Sequence, residues 1–176
     1  MLRYIKYALM LSIFVYSTYN LIHNIQLQNA VIKMPDIPAT KSPNQKLKPI
    51  GIKIGVANIN LPVEMSTVEN GKWQYNKTGI SYLEETPLPG LKGNAVFYGH
   101  NWPNLLGNLN KVSQGDKLTI LMSDGTTKDF IVDSKFVVLP NETHILEQTD
   151  DTKVTIYTCT GLFDSKRLVV VFKPAV

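Results

Sequence analysis

Short stretches with the signature of β-strands recur along the chain from residue 50 onward. Apolar residues alternate with other residues over 50–56 and 59–63, and a period of two is typical of a half-buried strand. Asp124-Gly125 is typical of a hairpin turn, whereas helical segments are few and short, such as 103–109. The pattern predicts an all-β barrel or sandwich with Greek-key-like connections. Further strand-like stretches lie at 94–98, 117–122, 128–139, 154–159 and 168–172.

Length and composition limit the classes of protein that remain. The chain has 176 residues, which suits one domain with a short appendage. Hydrophobic residues make up 44% and charged residues 18%, a globular composition that excludes intrinsic disorder of the whole chain. A single cysteine excludes an intramolecular disulfide and a cysteine-rich zinc site.

The positive charge is confined to the N-terminal part. Residues 1–49 hold six basic residues and one acidic residue, whereas the remainder holds 12 basic and 13 acidic residues. A nucleic-acid-binding domain carries its basic excess on the folded part. We therefore expect no nucleic acid among the partners.

An uncharged, mostly apolar run spans residues 7–22 and follows Arg3 and Lys6. About 20 apolar residues span a bilayer, and counting from residue 4, with Lys6 reaching to the interface, brings the run close to that length. The run lacks the paired small residues of a signal-peptide cleavage site, and no cysteine follows it for lipid attachment. We predict a transmembrane signal anchor in residues 1–23, in contact with the membrane through 4–23.

Charge also predicts the orientation of this anchor. Arg3, Lys6 and the amino terminus lie close to its first end, whereas Lys33 lies further from its second end. The positive-inside rule then places the N-terminus in the cytoplasm and the following domain outside the cell. Residues 24–49 contain four prolines and several lysines, which predicts an extended stalk before a domain over 50–176.

Few side chains in the predicted outer domain are suited to catalysis. This domain holds one cysteine, one arginine and two histidines. Cys159 ends one predicted strand, His100 follows Gly99 at the end of another, and Arg167 opens the last one. His144 lies in a proline-containing loop and is interpreted as an ordinary loop residue.

The three residues at strand ends could act together. Most lone cysteines are small buried hydrophobes, but Cys159 lies where the chain leaves the sheet and side chains become accessible. The chain uses lysine at 16 of its 18 basic positions, so Arg167 suggests a need for a planar guanidinium that could stabilise an oxyanion or a thiolate. With His100 for proton transfer, this set suffices for acyl transfer through a thioester, to water or to an amine.

The order of these residues resembles that of the sortases, the membrane-anchored cysteine transpeptidases of bacterial surfaces. The sortase signature T-L-x-T-C reads Thr155-Ile156-Tyr157-Thr158-Cys159, and Arg167 follows the cysteine by eight positions. Gly-His ends a strand in FYGHN, and L-x-x-L-x-x-x-x-x-G-D lies in NLLGNLNKVSQGDKLTI. The resemblance extends over residues 50–176.

The resemblance implies a closed eight-stranded sortase-type β-barrel with short helical turns, preceded by one N-terminal transmembrane helix. Cys159 would attack a sorting signal such as Leu-Pro-x-Thr-Gly after the Thr, His100 would protonate the leaving amine, and Arg167 would hold the substrate and the oxyanion. Thr158 and Thr160 would contact the substrate. The partners would be surface proteins with a C-terminal sorting signal and an amine acceptor, such as a peptidoglycan precursor or a pilin lysine.

The resemblance also bears on the subclass and the metal content. The chain stops soon after the last strand and the loop before 154 is short, which favours the housekeeping type or the single-anchor classes D, E or F. Some housekeeping members bind calcium, but the loop carboxylates are scattered here, so we predict no metal and no cofactor. These carboxylates are Glu64, Glu69, Glu84, Glu85, Glu142 and Glu147.

Two other functions remain open from the residues. One is a membrane-anchored β-domain that only binds a partner, with Cys159 inert in the core; it predicts that Cys159→Ala leaves function intact. The other is a cysteine peptidase that releases its acyl group to water; it predicts the same turnover with or without an amine acceptor.

Overall fold

One helix and a β-domain make up the part of the chain that the structure describes. The structure is a computed structural model and describes residues 2–28, 47–69, 72–73 and 78–175. Helix α1 spans Leu2–Gln28 and so includes residues 24–28 of the predicted stalk, while 29–46 of that stalk lie outside the described residues. Among the described residues, no helix combines the length and the apolarity that crossing a bilayer requires.

Eight strands of the described part close into a barrel in the order β1-β2-β5-β6-β9-β10-β8-β7, which confirms the predicted eight-stranded barrel. The pairs β2–β5 and β6–β9 are parallel, and the other neighbours are antiparallel. The two remaining strands, β3 and β4, form a separate hairpin. The bounds are β1 Pro49–Ile54, β2 Ile59–Ser66, β3 Val68–Glu69, β4 Lys72–Trp73, β5 Ile80–Leu83, β6 Gly93–Tyr98, β7 Lys117–Met122, β8 Thr127–Val138, β9 Thr152–Thr160 and β10 Lys166–Pro174.

Apolar side chains fill the barrel because alternate residues of each strand point inward. In β2, every second residue is buried from Ile59 to Val63. Strand β6 is buried throughout, because both of its faces are covered. Phe97 lies in the barrel core, and Val96 and Tyr98 lie in a second apolar cluster on the outer face. This outer cluster also contains Tyr157, Val138, Val169 and Leu146, with Trp73 and Cys159 packed against it.

Two parts of the barrel differ from the pattern in the sequence. Strand β5 is not predicted, because all four of its residues are buried and no alternation marks it. The alternation over 50–56 predicts a strand that reaches Val56, but β1 ends at Ile54 and Val56 is exposed in a 3-10 turn. The chain reverses there through Asn58, whose φ of 51° is left-handed, so that β2 can pair with β1.

A buried amide ties the connection between β8 and β9 to strand β6. Asn94 is fully buried, its Nδ2 donates to the carbonyls of Ile145 (3.1 Å) and Glu147 (3.3 Å), and its Oδ1 accepts from Thr155 Oγ1 (2.8 Å). The Gln148 side chain bonds both the N–H and the carbonyl of Asn94, at 3.0 and 3.1 Å. These bonds fix one border of the outer cluster.

We expect Asn94→Ala to lower the free energy of unfolding by about 3 kcal/mol, because buried donors and acceptors would lose their partners. Chemical denaturation measures this change. Asn110→Ala, at an exposed position, is the matched control and should stay within about 0.5 kcal/mol of wild type. Equal stability of the two variants would contradict this role of Asn94.

Candidate active site

The parallel pairing of β6 and β9 brings two of the predicted site residues to one edge of the barrel. The register pairs Tyr98 with Tyr157, and the N–H of Gly99 donates to the carbonyl of Tyr157 at 3.4 Å. His100 lies two residues beyond Tyr98, and Cys159 lies two residues beyond Tyr157. Because the strands are parallel, the histidine and the cysteine reach the same level at their carboxyl ends.

Strand β10 adds the third predicted residue from the other side. It runs antiparallel to β9, and the register places Arg167 directly opposite Cys159. Directly opposite residues of an antiparallel pair share one face of the sheet. The structure therefore sets the cysteine between β6, which leads to His100, and the start of β10, where Arg167 is the second residue.

The pleat of β9 separates the cysteine from the threonine before it. Cys159 is half-buried and packs against the outer cluster, whereas Thr158 is 1% exposed and its Oγ1 donates to the carbonyl of Gly99 at 2.7 Å. Successive residues of a strand point to opposite faces. Thr158 thus fixes the backbone before the site histidine, and half-buried Thr160 lies opposite Lys166 at the end of β9.

A tyrosine that the sequence did not single out contacts the thiol. The hydroxyl of Tyr98 lies 3.4 Å from Cys159 Sγ, within hydrogen-bond distance of sulfur. Burial raises the pKa of Tyr98 far above its ordinary value, and the nearby Cys159 raises this pKa further. The phenol therefore stays protonated at physiological pH and can donate a hydrogen bond to a thiolate.

Aromatic rings line the floor beside the thiol. Tyr98 and Tyr157 lie 5.0 Å apart between ring centroids, and Trp73 of the small hairpin lies 5.8 and 5.7 Å from these two rings. The indole N–H of Trp73 donates to Ser66 Oγ. Burial also raises the pKa of Tyr157 far above its ordinary value. The surface formed by these three rings is thus largely apolar and uncharged. Charge interactions beside it are stronger than they would be in water.

The guanidinium at this edge is buried without an acidic partner in the described residues. Arg167 is 8% exposed, and its Nη1 donates to the carbonyls of Asp164 (2.8 Å) and Lys166 (2.9 Å). The ion pairs in the described part of the chain are all formed by lysines. A buried cation is costly unless an anion faces it, and the arrangement suits a thiolate or a substrate oxyanion.

The same guanidinium holds the loop between β9 and β10. Phe163 and Asp164 in this loop have φ values of 53° and 57°, a left-handed conformation that is uncommon for residues other than glycine. Because Arg167 Nη1 bonds the carbonyl of Asp164, the cation and the loop conformation are coupled. The side chains of Leu162 and Phe163 are exposed at the loop tip.

Two of the other candidate side chains, both carboxylates, accept hydrogen bonds from backbone N–H groups. His144 is exposed in the 3-10 turn Thr143–Leu146. Glu85 Oε1 accepts from the N–H of Val68 (3.2 Å), and Glu142 Oε2 accepts from the N–H of Leu139 (2.6 Å). Within the described ranges, no group of three or more His, Cys, Asp or Glu side chains is placed to hold a metal ion.

Comparison with known proteins identifies the family of the chain. The family model for the sortase domain matches residues 52–175. Sortase A from Corynebacterium diphtheriae, as a lid mutant, is similar in structure with a TM-score of 0.64 and 26% identity, over 87% of this chain and 90% of that one. Sortase C-1 from Actinomyces oris gives 0.60 and 28% over 72% of each chain.

A third structure extends the likeness in fold alone. The Clostridium perfringens sortase D5 transpeptidase has a TM-score of 0.61 at 24% identity, over 72% of this chain and 78% of that one. The search of curated proteins finds no match. Since the family model covers almost the whole barrel, the chain belongs to the sortase family, whose members are cysteine transpeptidases.

Proposed function

We propose that this protein cleaves a Leu-Pro-x-Thr-Gly-like sorting signal and joins the new carboxyl end to an amine of a peptidoglycan precursor or a pilin lysine. The observation that carries the proposal is the strand register around Cys159, with His100 on one side and Arg167 on the other. Sortases in general act on sorting signals of surface proteins and on amine acceptors, which supports this class of substrate.

In the first step, the thiolate of Cys159 attacks the carbonyl carbon of the signal's Thr and forms a C–S bond. Arg167 donates to the oxyanion of the tetrahedral intermediate. The negative charge of this oxyanion compensates the positive charge of the buried guanidinium. The imidazolium of His100 gives its proton to the leaving Gly nitrogen as the C–N bond breaks. The products are a thioester on Cys159 and a free amine.

In the second step, an acceptor amine attacks the thioester carbon. His100, now neutral, takes a proton from this amine as the new C–N bond forms. The C–S bond breaks, and the electron pair returns to the sulfur as a thiolate. The cycle thus ends in the thiolate–imidazolium pair with which it began.

The phenol of Tyr98 has a supporting role in this scheme. Its hydroxyl is the polar group 3.4 Å from the sulfur, and it remains a donor because burial keeps it protonated. A hydrogen bond to a charged group contributes more than a neutral one. Tyr98 therefore stabilises the thiolate before attack and after departure.

The full-length protein, kept in a mild detergent, should ligate a fluorogenic Leu-Pro-x-Thr-Gly peptide to oligoglycine, as detected by mass spectrometry. Cys159→Ala and His100→Gln should abolish ligation, and Arg167→Lys should lower its rate about a hundredfold, since one ammonium cannot replace the forked donor. His144→Gln is the matched control and should ligate like wild type.

The product separates this proposal from the other functions. Cleavage at an equal rate with and without the amine would indicate a peptidase. Turnover that survives in Cys159→Ala would contradict a cysteine nucleophile. If a library of peptides with varied signals gives no cleavage and no covalent adduct on Cys159, the domain is a binding module rather than an enzyme.

We expect Tyr98→Phe to slow the alkylation of Cys159 by iodoacetamide at neutral pH about tenfold, because the thiolate loses a donor. Tyr157→Phe is the matched control, since this ring is buried beside Tyr98 in the same cluster. The rate constant of alkylation is read by intact-mass spectrometry. Equal slowing in both variants would assign the effect to packing rather than to the hydroxyl.

We also propose that residues 4–23 hold the domain at the outer face of the cell membrane, with the N-terminus in the cytoplasm, although no helix among the described residues meets the length and apolarity of a spanning segment. The support is the uncharged run over 7–22 and the exposure of its large apolar side chains, among them Leu11, Phe14 and Val15. A helix that exposes such side chains is stable only against an apolar environment.

Alkaline carbonate extraction of membranes tests this anchor. The wild-type protein should stay in the membrane pellet, and Val15→Lys should move into the supernatant, because a lysine at the centre of a membrane helix costs about 3 kcal/mol. Val56→Lys, at an exposed turn of the barrel, is the control and should stay in the pellet. Extraction of the wild-type protein would overturn the proposal.

A further inference from the structure

A tryptophan lies flat against the imidazole of His100. The ring centroids of His100 and Trp102 are 4.4 Å apart, and the two planes differ by only 7°. The indole is 44% exposed, so burial in a core does not explain its place. Near-parallel stacking at this distance places the face of the indole against the face of the imidazole.

The backbone around the two rings holds them in this arrangement. The carbonyl of His100 accepts from the N–H of Leu106 (3.1 Å), and the carbonyl of Trp102 accepts from the N–H groups of Leu105 and Gly107 (both 2.9 Å). Leu105 and Leu106 are anchored in the barrel core at 3% and 0% exposure. A Cβ at residue 107 would lie 2.7 Å from the Trp102 carbonyl oxygen, so glycine is needed for this close approach.

We propose that Trp102 is a positioning residue for His100, which holds the imidazole plane at the site edge and stabilises its protonated form through the face of the indole. A cation within about 6 Å of an indole centroid and above its face is attracted by the ring quadrupole. The role in turnover rests on the proposed function, whereas the effect on the protonation of His100 is independent of it.

The charged groups around His100 act on its protonation in opposite directions, whereas the indole face of Trp102 carries no net charge. Cys159 as a thiolate favours the imidazolium, whereas the Arg167 guanidinium across the site disfavours it. The Tyr98 ring stands edge-on at 6.0 Å, and burial keeps both the Tyr98 and the Tyr157 phenols neutral by raising their pKa.

The balance of these charges changes during catalysis. Once Cys159 carries the acyl group as a thioester, its negative charge is gone but the Arg167 charge remains. The indole of Trp102 then continues to favour the protonated imidazole, and it keeps the ring aimed at the bond that breaks or forms.

The first test needs no substrate. The protonation of His100 is followed by NMR in the full-length protein in detergent, with carbon-13-labelled histidine and assignment by His100→Gln. Trp102→Leu keeps an apolar side chain but removes the aromatic face, and should lower the titration midpoint of His100 by about half a pH unit. Trp102→Phe keeps a ring face and should restore most of this shift.

Two results would overturn the proposal: a midpoint in Trp102→Leu equal to that of wild type, or a midpoint in Trp102→Phe as low as that of the leucine variant. Thermal unfolding followed by circular dichroism checks that both variants keep the wild-type fold, which the exposure of the indole leads us to expect.

The second test measures ligation against pH. In Trp102→Leu, kcat should fall about threefold above the His100 midpoint, the fall that half a pH unit implies, with KM near wild type. The limb of the pH profile that reports His100 should move to lower pH together with the NMR midpoint. A raised KM with an unmoved limb would make Trp102 a substrate contact and contradict the positioning role. If no protein ligates, the proposed function fails, while the NMR titration still decides the role of Trp102.

Discussion

The parallel hydrogen-bonded pairing of β6 with β9 is the constraint on which the site depends. Parallel neighbours bring their carboxyl ends to one edge, so the residues just beyond Tyr98 and Tyr157 meet there. A slip of one residue would turn Cys159 toward the barrel interior and Thr158 toward the outer face. The bond from Thr158 to the carbonyl of Gly99 works against such a slip, because it ties the two strand ends together at their inner face.

The buried guanidinium gives this edge its electrostatic character. Arg167 is nearly excluded from water, yet in the described part of the chain it bonds only carbonyl oxygens. Desolvation of an ion costs several kcal/mol unless an opposite charge faces it. An enzyme that alternates between a thiolate, an oxyanion and a thioester supplies that charge during much of its cycle. The strained loop at Phe163 and Asp164 is maintained by the same cation, so its substitution by alanine would disturb shape and charge together.

Much of this architecture could be predicted from the sequence, for reasons that are physical. Alternation marks strands with one buried face, so β2 and the hairpin of β7 and β8 were predictable, whereas β5 is buried on both faces and carries no alternation. Cys159, His100 and Arg167 stood out because such residues are scarce in the domain and lie at strand ends.

The contacts of Tyr98 and Trp102 could not be predicted in the same way. Tyr98 and Cys159 are 61 residues apart in sequence. Their side chains meet only because both point to the outer face of the sheet. The alternation of side chains along a strand offers one signal, because Tyr98 lies two residues before His100 and alternate residues share a face. The stack on His100 depends on a loop closed by backbone bonds and by Gly107, which no periodicity records.

Capture of the acyl-enzyme tests the central claim most directly. The full-length protein is mixed with a Leu-Pro-x-Thr-Gly peptide without any amine acceptor, quenched in acid and examined by intact-mass spectrometry. We expect a mass increase equal to the peptide fragment up to its Thr less one water, the change that acylation gives, located on Cys159 and released by hydroxylamine as a hydroxamate. Cleavage of the peptide with no adduct on Cys159 at any quench time, or an adduct on another residue, would contradict it.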